Sequence, residues 1–172
     1  MKYIIPTMLT VLFFLEPVFS LFSPISFNDA LLTLVPRFVF VCLIFLGVYG
    51  NRKMTIIYGI IFGLLYDIFY IDIIGVYAFL YPVISIIAVG IIRYVHKNML
   101  IVIAITFILI ALLEILSYGF VSFVSITSIS FDEFLRHRLI PTMLANSVFI
   151  IMFSWFFKMF MINQVLEKLE NY

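Results

Sequence analysis

Charge is what this sequence has least of. Among 172 residues, 11% are Asp, Glu, Lys or Arg and 66% are hydrophobic, whereas a soluble domain carries about a quarter charged residues. A chain this apolar cannot cover itself with polar surface, so the solvent it is built for is lipid. Cysteine is almost absent too. Cys42, the single one, sits inside an apolar run, which excludes an intramolecular disulfide and a thiolate metal centre and reads as a small core hydrophobe. The two histidines, His96 and His137, fall on opposite sides of the expected membrane and cannot share a metal. No HExxH, phosphate-cradling Gly-rich loop or nucleophile elbow is present, so neither an enzyme nor a cofactor is expected. The basic residues are scattered rather than massed on one face, which argues against a nucleic-acid partner. With no low-complexity stretch, long linker, internal repeat or second domain, residues 1–172 read as one transmembrane domain.

What is there is a series of apolar runs. A helical span needs about 20 mainly apolar residues, and six candidates follow: 3–22, 31–50, 54–71, 74–95, 99–124 and 139–162. The expected fold is all-α, a polytopic integral membrane protein with six transmembrane helices. Breaks fall where turn and charge signals cluster, at SPISFNDA (23–30), GNRK (50–53), Asp72, RYVHKN (93–98) and SITSISFDEFLRHR (125–138). Lys and Arg accumulate on the cytoplasmic side of short loops. Six spans place Lys2, Arg52, Lys53, Arg93, Lys97, Lys158 and Lys168 on one side, against Arg136 and Arg138 on the other. Both termini are therefore expected in the cytoplasm. The first span has a rival reading as a secretory signal ending at Val18-Phe19-Ser20. Pro6, Glu16 and Pro17 within it, and the continuation into Leu21-Phe22, argue against cleavage.

GIIFGLLYDIF (59–69) raises the question of an acid in hydrocarbon. A central Asp costs roughly 3 kcal/mol on the insertion scale and each Ile, Leu or Phe returns roughly 0.3–0.6. Residues 54–71 hold ten such apolar residues, so the span tolerates Asp67 but needs a protein or water neighbour for it. Gly59, Gly63 and Asp67 are each four apart and share one helix face. Small residues at this spacing let another helix approach closely, which places the acid at the end of a helix-contact groove. Glu16, Arg37 and Glu114 fall at the same depth in the other spans, near Arg136 and Arg138. Ions there are costly unless paired, so an outward-side cluster is expected, with Arg37 bonded to Asp67, Glu16 or both. No nucleophile or metal ligand stands beside the three acids to make them an acid–base centre.

Pro36 beside Arg37 and Pro141 beyond Arg138 lie near the same end. Each frees a backbone carbonyl one turn earlier for neighbouring polar groups, and Asn146 can supply an interhelical hydrogen bond. Ser130 with Glu133 fits a capping box, and Ile129 with Phe134 fits a hydrophobic staple. They predict a short interfacial helix over 131–138, with Phe131, Phe134 and Leu135 toward lipid or a partner.

The ordered set LVPRFVF (34–40), GxxxGLxxD (Gly59, Gly63, Leu64, Asp67), Gly75-Val76-Tyr77, LLE (112–114) and RLIPTMLAN (138–146) resembles the bacterial rod shape-determining protein MreD family. The resemblance implies a non-enzymatic, multi-pass component of the bacterial plasma membrane, a scaffold of the cell-elongation machinery that controls shape and peptidoglycan synthesis. It implies an MreC-like single-span partner and, through it, MreB-like filaments, a RodA-like glycosyltransferase and a class B penicillin-binding protein. Under it, Glu16, Arg37, Asp67, Glu114 and Arg138 form a polar cluster that shapes the partner-facing surface. Gly59, Gly63, Pro36, Pro141 and Asn146 set helix packing. The resemblance also implies a fold similar to the substrate-binding subunits of energy-coupling-factor transporters, and so the alternative of a small-molecule-binding or transport subunit.

Overall fold

The computed structural model describes residues 3–21, 23–27, 30–71, 73–95, 98–124, 127 and 129–170. Lys2 and Lys97, which help to orient the chain by charge, lie outside them, as do Asp29, Asp72 and His96. Six principal helices form a bundle: α1 (Ile4–Ser20), α2 (Phe38–Tyr49), α3 (Arg52–Tyr66), α4 (Val76–Val95), α5 (Met99–Phe123) and, after the single turn α6 (Phe131–Phe134), α7 (Ile140–Glu170). A three-residue antiparallel ribbon, β1 (Ile25–Phe27) with β2 (Ala30–Leu32), pairs Ile25 with Leu32 and Phe27 with Ala30. Among the described residues, four helical stretches, Arg52–Ile71, Val76–Val95, Met99–Phe123 and Phe131–Gln164, are long and apolar enough to cross a membrane. The apolar helices α1 and α2 are shorter.

The second apolar run departs from expectation. A helix over 31–50 was predicted, but Ala30–Leu32 form β2, residues 33–37 are irregular, and helix begins only at Phe38. Pro36 accounts for the start: it has no N–H, and its ring drives Val35 out of the helical region. What remains, α2, occupies the centre. It touches α1, α3, α4, α5 and α7, and every side chain from Phe38 to Val48 is buried. That continuous burial explains why the run shows no polar stripe: a helix apolar all round is one surrounded on all sides.

Close contact between α3 and α4 follows from two glycines. A Cβ on Gly59 would lie 3.1 Å from Cα of Pro82, and one on Gly63 would strike the Tyr77 carbonyl and lie 2.6 Å from Ala78 Cα. Backbone thus meets backbone where any larger residue would hold the helices apart. The turn between them closes at Gly75, whose φ of 116° is a conformation that side-chain-bearing residues adopt only with strain.

Two interruptions mark the end of the bundle that carries the ribbon. α3 runs on as a π-helical turn, Asp67–Ile71, and α6 joins α7 through a second, Leu135–Leu139. The opposite end is regular. Asn51 caps α3 by accepting from the Lys53 and Met54 N–H groups, and Asn98 caps α5 by accepting from Leu100 N–H, as short polar side chains do at helix starts.

Candidate functional site: an ion bridge at the ribbon end

The ribbon end gathers one terminus of each of the six principal helices and buries Glu16, Arg37, Asp67 and Glu114. Their pairing differs from the expectation that Arg37 meets Asp67 or Glu16. The partner is Glu114, on α5. Arg37 Nε donates to Glu114 Oε1 at 2.6 Å, and Nη2 lies 2.6 Å from the same oxygen. Arg138 Nε, at the entrance to α7, donates to the other oxygen, Oε2, at 3.3 Å. One carboxylate therefore joins the start of α2, the last turns of α5 and the start of α7. Arg37 Nη2 also donates to Tyr77 Oη at 2.6 Å, and its guanidinium carbon lies 4.7 Å from the centroid of the Tyr77 ring and 5.7 Å from that of Tyr66. A planar, weakly hydrated cation is suited to this mixture of carboxylate, hydroxyl and aromatic neighbours.

The other two acids serve backbone rather than arginine. Asp67 Oδ1 accepts from Tyr77 N–H at 2.8 Å, while Oδ2 accepts from Gly75 at 2.8 Å and Ala78 at 3.0 Å. It is an N-cap for α4 supplied by the preceding helix, and its negative charge suits the exposed donors and dipole at that terminus. Glu16 Oε1 accepts from Val39 N–H at 2.8 Å, in the first turn of α2. Both broken connections thus end at a buried acid that occupies the unpaired N–H groups of the next helix. Arg136 stands apart from the cluster. It pairs with Asp132 on the surface, 3.1 Å away, both side chains about two-thirds exposed.

The irregular segment 33–37 is held by α7 and its entry turn. Val35 N–H donates to Thr142 Oγ1 at 3.1 Å, Arg37 N–H donates to Asn146 Oδ1 at 2.8 Å, and Asn146 Nδ2 donates to Val35 O at 2.9 Å. Thr33 N–H donates to His137 O at 2.7 Å. That carbonyl lies one turn before Pro141, which has no N–H to offer it. Proline in one helix therefore leaves an acceptor for the unwound stretch of another, the condition under which irregular backbone is tolerated at membrane depth.

Helix α6 begins at the expected capping box: Glu133 N–H donates to Ser130 Oγ and Ser130 N–H donates to Glu133 Oε2. Phe134, expected to face lipid or a partner, is instead buried and stacked on Tyr118 with ring centroids 4.2 Å apart. Phe131 is exposed. Sequence reasoning missed Tyr77, Tyr81 and Thr142 as members of the cluster. The i,i+4 spacing of Tyr77 and Tyr81 on one face of α4 was the available signal. Among the described residues no group of three His, Cys, Asp or Glu could hold a metal.

The model of the family described as rod shape-determining protein MreD matches residues 1–163. The chain belongs to the MreD family. It is 32% identical over 145 residues to the rod shape-determining protein MreD of Bacillus subtilis, covering 84% of each chain. It is 28% identical over 136 residues to the cell shape-determining protein MreD of Streptococcus pneumoniae, covering 73% of this chain and 76% of that one. No solved structure matches it. Membership places the chain among the membrane proteins of rod-shape determination, and the ion bridge described above lies within the matched residues.

Proposed function

We propose that the chain is a six-span component of the bacterial cytoplasmic membrane, both termini inside, and that it acts as a non-enzymatic scaffold of the cell-elongation complex. Arg52, Lys53, Arg93 and Lys158 sit toward the regular end and Arg136 and Arg138 at the ribbon end, a distribution that supports a cytoplasmic regular end and an outward ribbon end. The partner in this reading is an MreC-like single-span protein, through which MreB-like filaments inside connect to a RodA-like glycosyltransferase and a class B penicillin-binding protein. The observation that carries the reading is Glu114 bridging Arg37 and Arg138. The bridge fixes three helix ends relative to one another, and a preformed surface binds with less ordering cost than a mobile one. Glu16, Arg37, Asp67, Glu114 and Arg138 shape that surface from within. In this reading the bundle has the same broad design as the substrate-binding subunits of energy-coupling-factor transporters, put to a different use.

The test is co-purification with the MreC-like partner from mild detergent, comparing wild type with Arg37→Gln and Asp67→Asn while each protein's own thermal unfolding is followed. A wild-type complex that is weakened in variants still folded is the expected result. A folded wild type that captures no partner, yet is stabilised by a small solute, would replace the scaffold with a carrier.

A further inference from the structure

Two neighbouring cavities open beside the ion bridge, of about 180 and 550 Å³. Tyr70, Ile71, Tyr77 and Arg138 line both. The smaller one is lined by Glu16 and Tyr66, each of which carries a buried polar atom with no hydrogen-bond partner among the described residues, Glu16 Oε2 and Tyr66 Oη. Glu16 is 2% exposed and commits Oε1 to Val39. A carboxylate oxygen buried without a donor is a costly arrangement. Asp67, on the neighbouring helix, shows the ordinary one, with both oxygens engaged. The other unpartnered hydroxyls, on Tyr49, Ser85 and Ser154, line neither cavity.

The nearest cations divide the task. Arg37 is committed to Glu114 and Tyr77. Arg138 reaches Glu114 through Nε, is 42% exposed, and lines both cavities. The walls come from both π-helical turns, Tyr70 and Ile71 from one and His137 and Arg138 from the other. Such turns, inserted at a cost in helix geometry, are frequent at functional sites.

We propose that this pair of cavities binds a small zwitterion, a molecule carrying an ammonium and an anionic group on a short spacer. The ammonium donates to Glu16 Oε2 and Tyr66 Oη, and the anion lies against the outer nitrogens of Arg138, where a planar guanidinium accepts carboxylate or phosphate in two-pronged fashion. The smaller cavity is lined by an acid and an arginine together, Glu16 and Arg138, so a ligand of two signs meets both. The same chemistry is offered by a phosphoethanolamine lipid headgroup and by a free amino acid.

Native mass spectrometry and thermal melting of the full chain in detergent, titrated with dioleoyl-phosphatidylethanolamine, dioleoyl-phosphatidylglycerol, glycerophosphoethanolamine and glycine, test the site. The glycerol headgroup lacks the ammonium, so phosphatidylglycerol should bind at least about tenfold more weakly than phosphatidylethanolamine. Glu16→Gln keeps a carbonyl oxygen for Val39 N–H but turns the free oxygen into a donor, and should lose about tenfold in affinity. Tyr66→Phe removes only the hydroxyl and should lose about threefold to tenfold, while Ser154→Ala should bind as wild type. Competition by glycerophosphoethanolamine identifies a headgroup site, and binding of glycine without the lipid identifies an amino-acid site. Equal binding of the two lipids with no glycine binding, or no binding of any probe, overturns the proposal. Wild-type affinity in folded Tyr66→Phe, or in folded Glu16→Gln, overturns it as well. None of these readouts involves the polypeptide partner, so they stand or fall apart from the scaffold reading.

Discussion

The two ends of the bundle are held by different physics. At the regular end, helices start at Asn51 and Asn98 caps and are joined mainly by apolar packing, Gly47 against Val89 and Thr55 and Phe45 against Phe157, with Lys158 as a cation over the ring of Tyr49. At the ribbon end, buried ions, unwound backbone and two π-helical turns replace that packing. Dispersion contacts are many, small and interchangeable, whereas a buried ion pair is all-or-none once one member is removed. The regular end should therefore absorb substitution, and the ribbon end should not.

The sharpest break in that contrast is Glu114→Ala. It leaves the Arg37 guanidinium buried without its anion and should cost about 3–5 kcal/mol, read by thermal or denaturant unfolding in detergent. Replacing Arg37 and Glu114 together by methionine removes the uncompensated charge and should recover most of that loss. If partner capture returns along with stability, the bridge matters only for folding. Next comes Asp67→Asn, where one amide oxygen replaces two charged acceptors for the Gly75, Tyr77 and Ala78 N–H groups. A loss of about 1–3 kcal/mol is expected, with hydrogen exchange fastest in the first turn of α4. Gly63→Ala forces Cβ into the Tyr77 carbonyl and should cost about 1–3 kcal/mol by overpacking, visible as a lowered melting temperature. At the regular end, Asn98→Ala should cost about 1 kcal/mol, the ordinary worth of an N-cap. Smallest of all, Gly90→Ala meets nothing within 4 Å and should stabilise α4 by about 0.5–1 kcal/mol. A ribbon-end variant as mild as Gly90→Ala would erase the distinction between the two ends.

What could be read from the sequence follows the same division. The long apolar runs of α3, α4, α5 and α7 mark themselves, because composition and length suffice. The Ser130–Glu133 capping box is equally local, and so is the clustering of charges at one end. The pairing within the cluster was not legible, since it depends on which helices are neighbours. Glu114 reaches Arg37 because α5 packs on α2, and nothing within LLE or VPR says so. The unwinding of residues 33–37 was signalled by Pro36 only as a break. Its extent was set by Thr142 and Asn146, more than a hundred residues away. The π-helical turns left no mark in composition.

Helix α2 has a consequence for how the chain is made. At twelve residues it is about 18 Å long, well short of a hydrocarbon core of about 30 Å, and none of its faces meets lipid. In the six-span reading, the irregular residues before it complete the crossing, held there by Thr142 and Asn146 of α7. In that reading the second segment waits during synthesis in an unfinished state until the last helix emerges. A nascent chain halted before residue 142 should hold its N-terminal third only loosely in the membrane, exposed to quality-control proteases, whereas release past residue 150 should bring that third into protection in a single step.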